Sequence, residues 1–220
     1  MASIAVIGGT GDLGKGVVRR LAKGGHDVTI GSRSAEKART VADEMEPITG
    51  KLGHAANEDA AAGKDIVIVT VPYASQASTL ELIRDKVGDA IVVDTTVPLV
   101  PPKVMRVQLP AAGCAALEAQ EILGENVRFV SAFHNVSAHL LDSDADVECD
   151  ILVFSNDVEA RNTVVGLCPD MGLRGLSGGS LNNSAAAEAL TSILIYMNKT
   201  YKADGAGIRF TNLTEGPAIP

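Results

Sequence analysis

A glycine-rich stretch close to the N-terminus constrains the fold of this chain most strongly. Its glycines Gly9, Gly11 and Gly14 match the pattern G-x-G-x-x-G. A β-branched run at residues 4–7 precedes the pattern, and residues 15–22 carry apolar side chains at helical spacing. In such a strand-to-helix turn, one glycine makes the turn, one admits a pyrophosphate and one lets helix and strand pack closely. The stretch therefore predicts a dinucleotide site, with a purely structural turn as the alternative.

The residues after the second predicted strand, 26–31, indicate which dinucleotide binds. Enzymes that prefer NAD usually carry Asp or Glu there, which binds the ribose 2′-hydroxyl. This chain instead has Ser32 and Arg33, with Lys37 on the following turn. A hydroxyl, a guanidinium and an ammonium together suit a 2′-phosphate, so we expect NADP(H). The alternative is that these residues belong to an exposed helix capped by Ser34.

Composition excludes several classes of protein. The 220 residues are 46% hydrophobic and 21% charged, which is typical of a soluble globular chain. A net charge of −8 disfavours nucleic acid and anionic membranes as partners, and we expect neither. The sequence has no apparent signal peptide or membrane span, and its three cysteines form no metal or redox motif. We therefore expect a cytoplasmic protein without a metal site; the acidic stretch 142–150 is interpreted as a solvated turn.

Apolar runs alternate with helical patterns along most of the chain. This alternation predicts a Rossmann-type, doubly wound α/β fold with a mainly parallel sheet and a small C-terminal α/β extension. We expect an NADP-binding domain at residues 1–132 and a smaller part at 133–220. The predicted strands are 26–31, 65–71, 90–94, 127–133 and 151–155, with a short one between 48 and 60. The predicted helices are 35–45, 57–62, 77–87, 111–123, 158–168 and 184–201.

Two further features bear on the site and on assembly. The clearest buried strand ends in Val71-Pro72-Tyr73, at the edge of the sheet where ligands bind in this architecture. Tyr73 is equally compatible with stacking beside a nicotinamide and with covering the core. The last predicted helix carries an apolar stripe, which suits the core or a dimer interface; its members are Ala186, Leu190, Ile193, Leu194 and Met197.

Several segments together resemble one family, the NADPH-dependent reductases of coenzyme F420 (F420:NADP oxidoreductases). The segments stand in that family's order over nearly the whole chain. They are residues 8–16 (GGTGDLGKG), 31–34 (GSRS), 70–73 (TVPY), 131–138 (SAFHNVSA) and 188–192 (EALTS). The resemblance implies hydride transfer between NADPH and a deazaflavin, the F420 ring, laid against the nicotinamide by the C-terminal part, usually in a homodimer. The reaction needs position and exclusion of water more than reactive side chains.

The resemblance also implies roles for individual residues. Those that would hold the pyrophosphate are Thr10, Gly11, Asp12 and Leu13. Those that would hold the 2′-phosphate are Ser32, Arg33 and Lys37. Val71, Val97 and Ala138 would flank the nicotinamide, and His134 would lie beside the deazaflavin and assist transfer of the accompanying proton.

Two other functions remain open at the level of sequence. The chain could reduce a different small organic acceptor with NADPH, such as an imine, a carbonyl or a flavin-like compound. It could also be a non-catalytic sensor that binds NADP(H) and changes partners with redox state. No Tyr-x-x-x-Lys pair is present, which disfavours the mechanism of short-chain dehydrogenases.

Overall fold

A computed structural model describes residues 1–214 as one eight-stranded sheet with helices on both faces. The strand order is β3-β2-β1-β4-β5-β6-β7-β8, and every neighbouring pair is parallel except β6 and β7. The strands are β1 (Ser3–Ile7), β2 (Asp27–Ser32), β3 (Gly53–Ala56), β4 (Ile66–Val69), β5 (Ile91–Asp94), β6 (Arg128–Ser131), β7 (Asp150–Phe154) and β8 (Arg174–Gly179). The helices are α1 (Asp12–Lys23), α2 (Ala35–Thr49), α3 (Asn57–Ala61), α4 (Tyr73–Ile83), α5 (Ala115–Leu123), α6 (Ala138–Leu141), α7 (Val158–Leu167) and α8 (Ser184–Tyr201). The predicted mainly parallel, doubly wound sheet is confirmed.

The continuous apolar runs reflect burial of the sheet on both faces. On β1, Ile4 and Val6 point to the face covered by α1 and α2, whereas Ala5 and Ile7 point to the opposite face. All four side chains are fully buried. Parallel strands covered on both faces lose the alternation of apolar and polar residues that marks a half-exposed strand.

Two helix starts differ from the sequence prediction. Helix α4 begins at Tyr73, directly after Pro72 at its N-cap, and not at residue 77. Helix α5 begins at Ala115 and not at residue 111, because residue 114 is extended and a carboxylate from α8, Glu188, accepts the N–H groups of Ala115 and Ala116. The second start therefore depends on a contact from 72 or more residues further along the chain, which local patterning does not contain.

The sheet has the fewest paired residues where the strand direction reverses, between β6 and β7. Strands β6 and β7 share a single backbone pair, Ser131 with Phe154, whereas the other neighbours share four or five. Beyond it, the buried Asp150 of β7 accepts two hydrogen bonds from Arg174 of β8 and one from the backbone of Phe210. These contacts attach β8 and the segment around residue 210 to β7.

Helix α8 buries a polar face and exposes an apolar one. Ser184, Glu188 and Ser192 are at most 4% exposed. The predicted apolar stripe lies on the partly or fully exposed side, where Ile193 is 47% and Met197 38% exposed. The apolar stripe as a whole therefore does not lie in the core. Neither α8 nor any other helix within residues 1–214 has the length and hydropathy to span a membrane.

Candidate nucleotide and hydride-transfer site

The glycine-rich turn between β1 and α1 is packed so closely that a side chain at Gly8, Gly9 or Gly14 would clash with its neighbours. Gly8 has a φ of 77°, a conformation that L side chains rarely adopt. The N–H of Gly9 donates to the carbonyls of Val6 and Gly31, which ties the turn to β1 and β2. A Cβ on Gly14 would lie 2.6 Å from both the carbonyl oxygen of Gly8 and the Cα of Gly9. The turn therefore depends on glycine for its own packing.

The N-terminus of α1 is open to a ligand. Its N-cap residue, Gly11, has no side chain to accept the free N–H groups of the first turn, which belong to Asp12, Leu13 and Gly14. Gly11 itself is exposed, and a Cβ there would meet only one protein atom, at 3.4 Å. Free N–H groups, the positive end of the helix dipole and an unobstructed approach together form an anion site.

A basic corner adjoins this turn at the end of β2. Ser32 is buried, and its Oγ lies 3.5 Å from Oγ1 of Thr10. Arg33 and Lys37 are exposed, and neither forms an ion pair within the described part of the chain. Ser34 caps α2 by accepting from the N–H of Lys37 at 3.4 Å, so the predicted cap is confirmed. The cap leaves both cations available.

These groups line one cavity of 230 Å³ where β1, β2 and β4 end. That place is the topological switch point of the sheet, between β1 and β4, where open α/β folds bind ligands. The cavity brings together seven of the predicted site residues: Thr10, Gly11, Ser32, Arg33, Lys37, Val71 and Pro72. A larger, open hollow at the other end of the strands includes Asp65 and Ile91. It lies at the amino ends of the strands, away from the turn.

The remaining predicted residues lie outside this cavity. The hydroxyl of Tyr73 donates to Oε2 of Glu118 at 2.7 Å, and burial together with this carboxylate raises the pKa of Tyr73 to about 12. Tyr73 therefore faces α5. Val97 is half-buried after β5, and Ala138 starts α6, whose backbone packs closely on Gly16 of α1.

His134 is buried, with 6% of its surface exposed, shortly after the end of β6. Its Nε2 lies 2.8 Å from Oγ of Ser131, and its ring centroid lies 6.1 Å from that of Phe154. Burial lowers the pKa of His134 to about 3, so the imidazole is neutral. Its Nδ1 is buried without a hydrogen-bond partner among residues 1–214.

Sequence reasoning missed several polar residues of the site. Asn57 lines the cavity, and its Oδ1 lies 3.4 Å from the N–H of Gly8. Its position directly after β3 was a usable signal. Asp94 at the end of β5 is buried with Gln76 and Thr96, and burial raises its pKa to about 6. Asp94 ends the predicted strand 90–94, but the sequence did not indicate its partner Gln76, which lies 18 residues away.

Comparison with known proteins agrees with this geometry. The fold and the open anion site define a Rossmann-type dinucleotide-binding protein, and residues 3–98 match the family described as "NADP oxidoreductase coenzyme F420-dependent". The chain is 41% identical to the F420-dependent NADP reductase of Methanocaldococcus jannaschii, covering 96% of this chain and 98% of that protein. It is 40% identical to the reductase of the same description from Methanothermobacter thermautotrophicus, with 96% of each covered. The chain belongs to the F420-dependent NADP reductase family, and the resemblance found in the sequence is confirmed.

Solved structures support the fold alone, since their sequences are distant. A hypothetical protein, SMa0349, from Sinorhizobium meliloti superposes with a TM-score of 0.69 at 22% identity, over 84% of this chain and 88% of that one. An imine reductase from Myxococcus stipitatus superposes with a TM-score of 0.65 at 16% identity, over 92% of this chain and 62% of that one. Both comparisons place the chain among Rossmann-type folds.

Proposed function

We propose that this chain transfers a hydride between NADPH and coenzyme F420. The proposal depends on 40–41% sequence identity to F420-dependent NADP reductases over nearly the full length of the chain. It depends equally on the glycine-rich turn, whose free N–H groups can bind an anion beside two unpaired cations, Arg33 and Lys37. Reduction of another acceptor, or NADP(H) sensing without catalysis, is not favoured by these relatives.

The residues of the cavity suit NADP(H). The N–H groups of the first turn of α1 would hold the pyrophosphate, together with Thr10 and Gly11. Arg33, Lys37 and Ser32 would hold the 2′-phosphate through charge-assisted hydrogen bonds. NADPH supplies the hydride and F420 accepts it. The chain contributes alignment of the two rings and exclusion of water.

We assign the other predicted residues by extension. Residues 1–132 would hold NADP(H), and residues 133–214 would complete the acceptor site; the rest of the predicted second part, 215–220, lies outside the described residues. Gly9 and Gly14 shape the turn. Val71 and Pro72 would contact the nicotinamide half of the cofactor. Val97, Ala138 and Tyr73 would lie near that half, further from the cavity. His134 would face the deazaflavin. Three buried free cysteines, Cys114, Cys149 and Cys168, are consistent with a cytoplasmic location.

The test is to mix the purified chain with NADPH and oxidised F420 and to follow the visible absorbance of F420. We expect rapid bleaching with NADPH and much slower bleaching with NADH at the same concentration. Binding of NADPH without bleaching would contradict the proposal and support a different acceptor or a sensor.

His134→Asn should slow turnover without weakening NADPH binding. Asparagine keeps a polar group of similar reach but cannot relay a proton between two ring nitrogens. We expect kcat to fall about 100-fold, the lower part of the range for a lost proton-transfer group. Steady-state kinetics and an NADPH fluorescence titration measure the two quantities. Equal losses in kcat and NADPH affinity would indicate a structural role instead.

We propose that the apolar face of α8 forms a homodimer interface. Ile193, Tyr196 and Tyr201 are 47%, 51% and 69% exposed, and Met105 and Val107 of the neighbouring loop are also exposed. The loop is held to α8 by a hydrogen bond from Ser192 to the carbonyl of residue 106. A contiguous exposed apolar surface of this kind marks a protein interface.

Ile193→Asp should therefore convert the dimer to a monomer. A carboxylate buried at an interface without a partner costs several kcal/mol. Analytical ultracentrifugation measures the change, and Leu82→Asp serves as the control because Leu82 is similarly exposed, at 46%, on α4. A wild-type chain that sediments as a monomer would overturn this assignment.

A further inference from the structure

A continuous chain of hydrogen bonds leads from His134 into the interior. Nε2 of His134 lies 2.8 Å from Oγ of Ser131, which lies 2.8 Å from Oγ of Ser184. Ser184 lies 3.0 Å from Oε1 of Glu188 on the next turn of α8. All four side chains are at most 6% exposed. A buried carboxyl is thus linked through two hydroxyls to one nitrogen of the imidazole.

The carboxylate form of Glu188 fixes the direction of every bond in this chain. A carboxylate only accepts, so Ser184 must donate to Glu188 and accept from Ser131. Ser131 then accepts from His134, which places the ring proton on Nε2. The unpartnered Nδ1 is therefore a bare acceptor whenever Glu188 is ionised.

Protonation of Glu188 reverses all of these bonds. The carboxyl O–H donates to Ser184, Ser184 donates to Ser131, and Ser131 donates to Nε2 of His134. The ring proton then lies on Nδ1, which becomes a donor. The imidazole stays neutral in both states, in keeping with its lowered pKa.

The surroundings of Glu188 place this reversal near neutral pH. Burial raises the pKa of Glu188 to about 7, against the opposing effect of the N–H groups of Ala115 and Ala116 and of Ser184. The negative charge of Asp94 raises the pKa further. The other titratable groups that interact with Glu188 are Tyr73 of α4 and Cys114 before α5. No lysine or arginine within residues 1–214 forms an ion pair with Glu188.

We propose that Glu188 is the proton donor for reduction of the acceptor, acting through Ser184, Ser131 and Nδ1 of His134. The inference rests on the proposed function and adds a proton source to it. Hydride arrives from NADPH, and the reduced acceptor then needs one proton. The Nδ1–H bond of His134 breaks and its proton goes to a nitrogen of the acceptor. Nε2 takes a proton from Ser131, Ser131 from Ser184 and Ser184 from Glu188, which is left as a carboxylate. In the opposite direction the same bonds carry the proton inward.

The tautomer of His134 tests the relay without any acceptor present. With ¹⁵N-histidine labelling, NMR distinguishes a protonated Nδ1 from a protonated Nε2, and His134→Asn identifies the signal among the four histidines. As the pH rises from about 5.5 to 8.5, we expect the wild type to change from Nδ1–H to Nε2–H around the pKa of Glu188. Glu188→Gln should stay Nδ1–H throughout, because its amide nitrogen donates to Ser184. Ser184→Ala should make the tautomer independent of Glu188 while leaving the bonds from Glu188 to α5 intact.

Single-turnover reduction of F420 by NADPH then tests the use of the relay. We expect the wild-type rate to fall above the pKa of Glu188, whereas Glu188→Gln and Ser184→Ala lose this dependence and are at least about 10-fold slower at low pH. Ser155→Ala serves as the matched control, because Ser155 is another buried serine whose hydroxyl donates to the carbonyl of Phe129 and accepts from the N–H of Asp157, outside the relay. These variants fold if they bind NADPH as the wild type does.

The outcomes separate the relay from the proposed function. No tautomer change in the wild type overturns the relay even if F420 is reduced. A tautomer change that survives in Glu188→Gln assigns the titration to another group, such as Asp94, and also overturns the relay. An unaltered pH profile in both relay variants overturns its catalytic use. A tautomer change in a wild type that does not reduce F420 contradicts the proposed function but leaves the proton path in place.

Discussion

Gly14→Ala is expected to weaken NADPH binding by at least about 100-fold, equivalent to about 3 kcal/mol. The new Cβ would lie 2.6 Å from the carbonyl oxygen of Gly8 and from the Cα of Gly9, and 2.9 Å from Oγ1 of Thr70. Two of these atoms are backbone, so the turn itself must shift. A shifted turn no longer directs the N–H groups of α1 at a pyrophosphate. Fluorescence titration with NADPH measures the loss of binding.

Gly166→Ala provides a matched control for this experiment. Gly166 lies within α7, and a Cβ there would meet no atom within 4 Å. Alanine in a helix is more favourable than glycine by about 1 kcal/mol, so this variant should bind NADPH normally and unfold at a slightly higher temperature. Normal NADPH binding by Gly14→Ala would show that the close packing of the turn is unnecessary for the site.

Arg33→Ala should weaken NADPH by about 10- to 100-fold and leave NADH almost unchanged. Hydrogen bonds to charged groups contribute about 1.5–3 kcal/mol, and only NADPH carries the 2′-phosphate that Arg33 would bind. Arg33 is exposed and forms no ion pair within residues 1–214, so its removal leaves no unpaired charge behind. The dissociation constants of both cofactors for wild type and variant decide the result.

Arg39→Ala is the appropriate control for Arg33→Ala. Arg39 lies on α2, the helix that follows Arg33, but is paired with Asp43 at 3.7 Å and does not line the cavity. It removes the same charge from the protein at a different place. Equal losses for NADPH and NADH in Arg33→Ala, or an equal loss in Arg39→Ala, would contradict binding of the 2′-phosphate by Arg33.

The nucleotide half of the site could be predicted from the sequence because the residues that form it lie close together in the chain. Three glycines within six residues, 9–14, and the residues directly after β2 specify their own geometry, and the structure brings Thr10, Arg33 and Lys37 to one cavity. The buried parallel strands were readable for the same reason, since each is a short apolar run. The helix spanning residues 184–201 was predicted with its observed bounds.

The interior polar groups could not be read in this way. Glu188 looks like an ordinary helix-surface carboxylate in sequence, and only tertiary packing buries it against the start of α5. The same contact explains why α5 begins at Ala115 and not at the predicted residue 111. Tyr73 was undecided for a related reason, because its hydroxyl partner, Glu118, lies 45 residues further along the chain.

The single-pair contact between β6 and β7 has a dynamic consequence. Ser131 belongs to that pair, and its hydroxyl lies 2.8 Å from that of Ser184 at the start of α8. Local opening costs least where few backbone bonds hold two segments together. Amide hydrogens on both sides of this joint should therefore exchange with solvent sooner than those of β1 and β4. Each such opening would displace the backbone of Ser131, so fluctuations at one point of the sheet would determine how often the proposed proton path is complete.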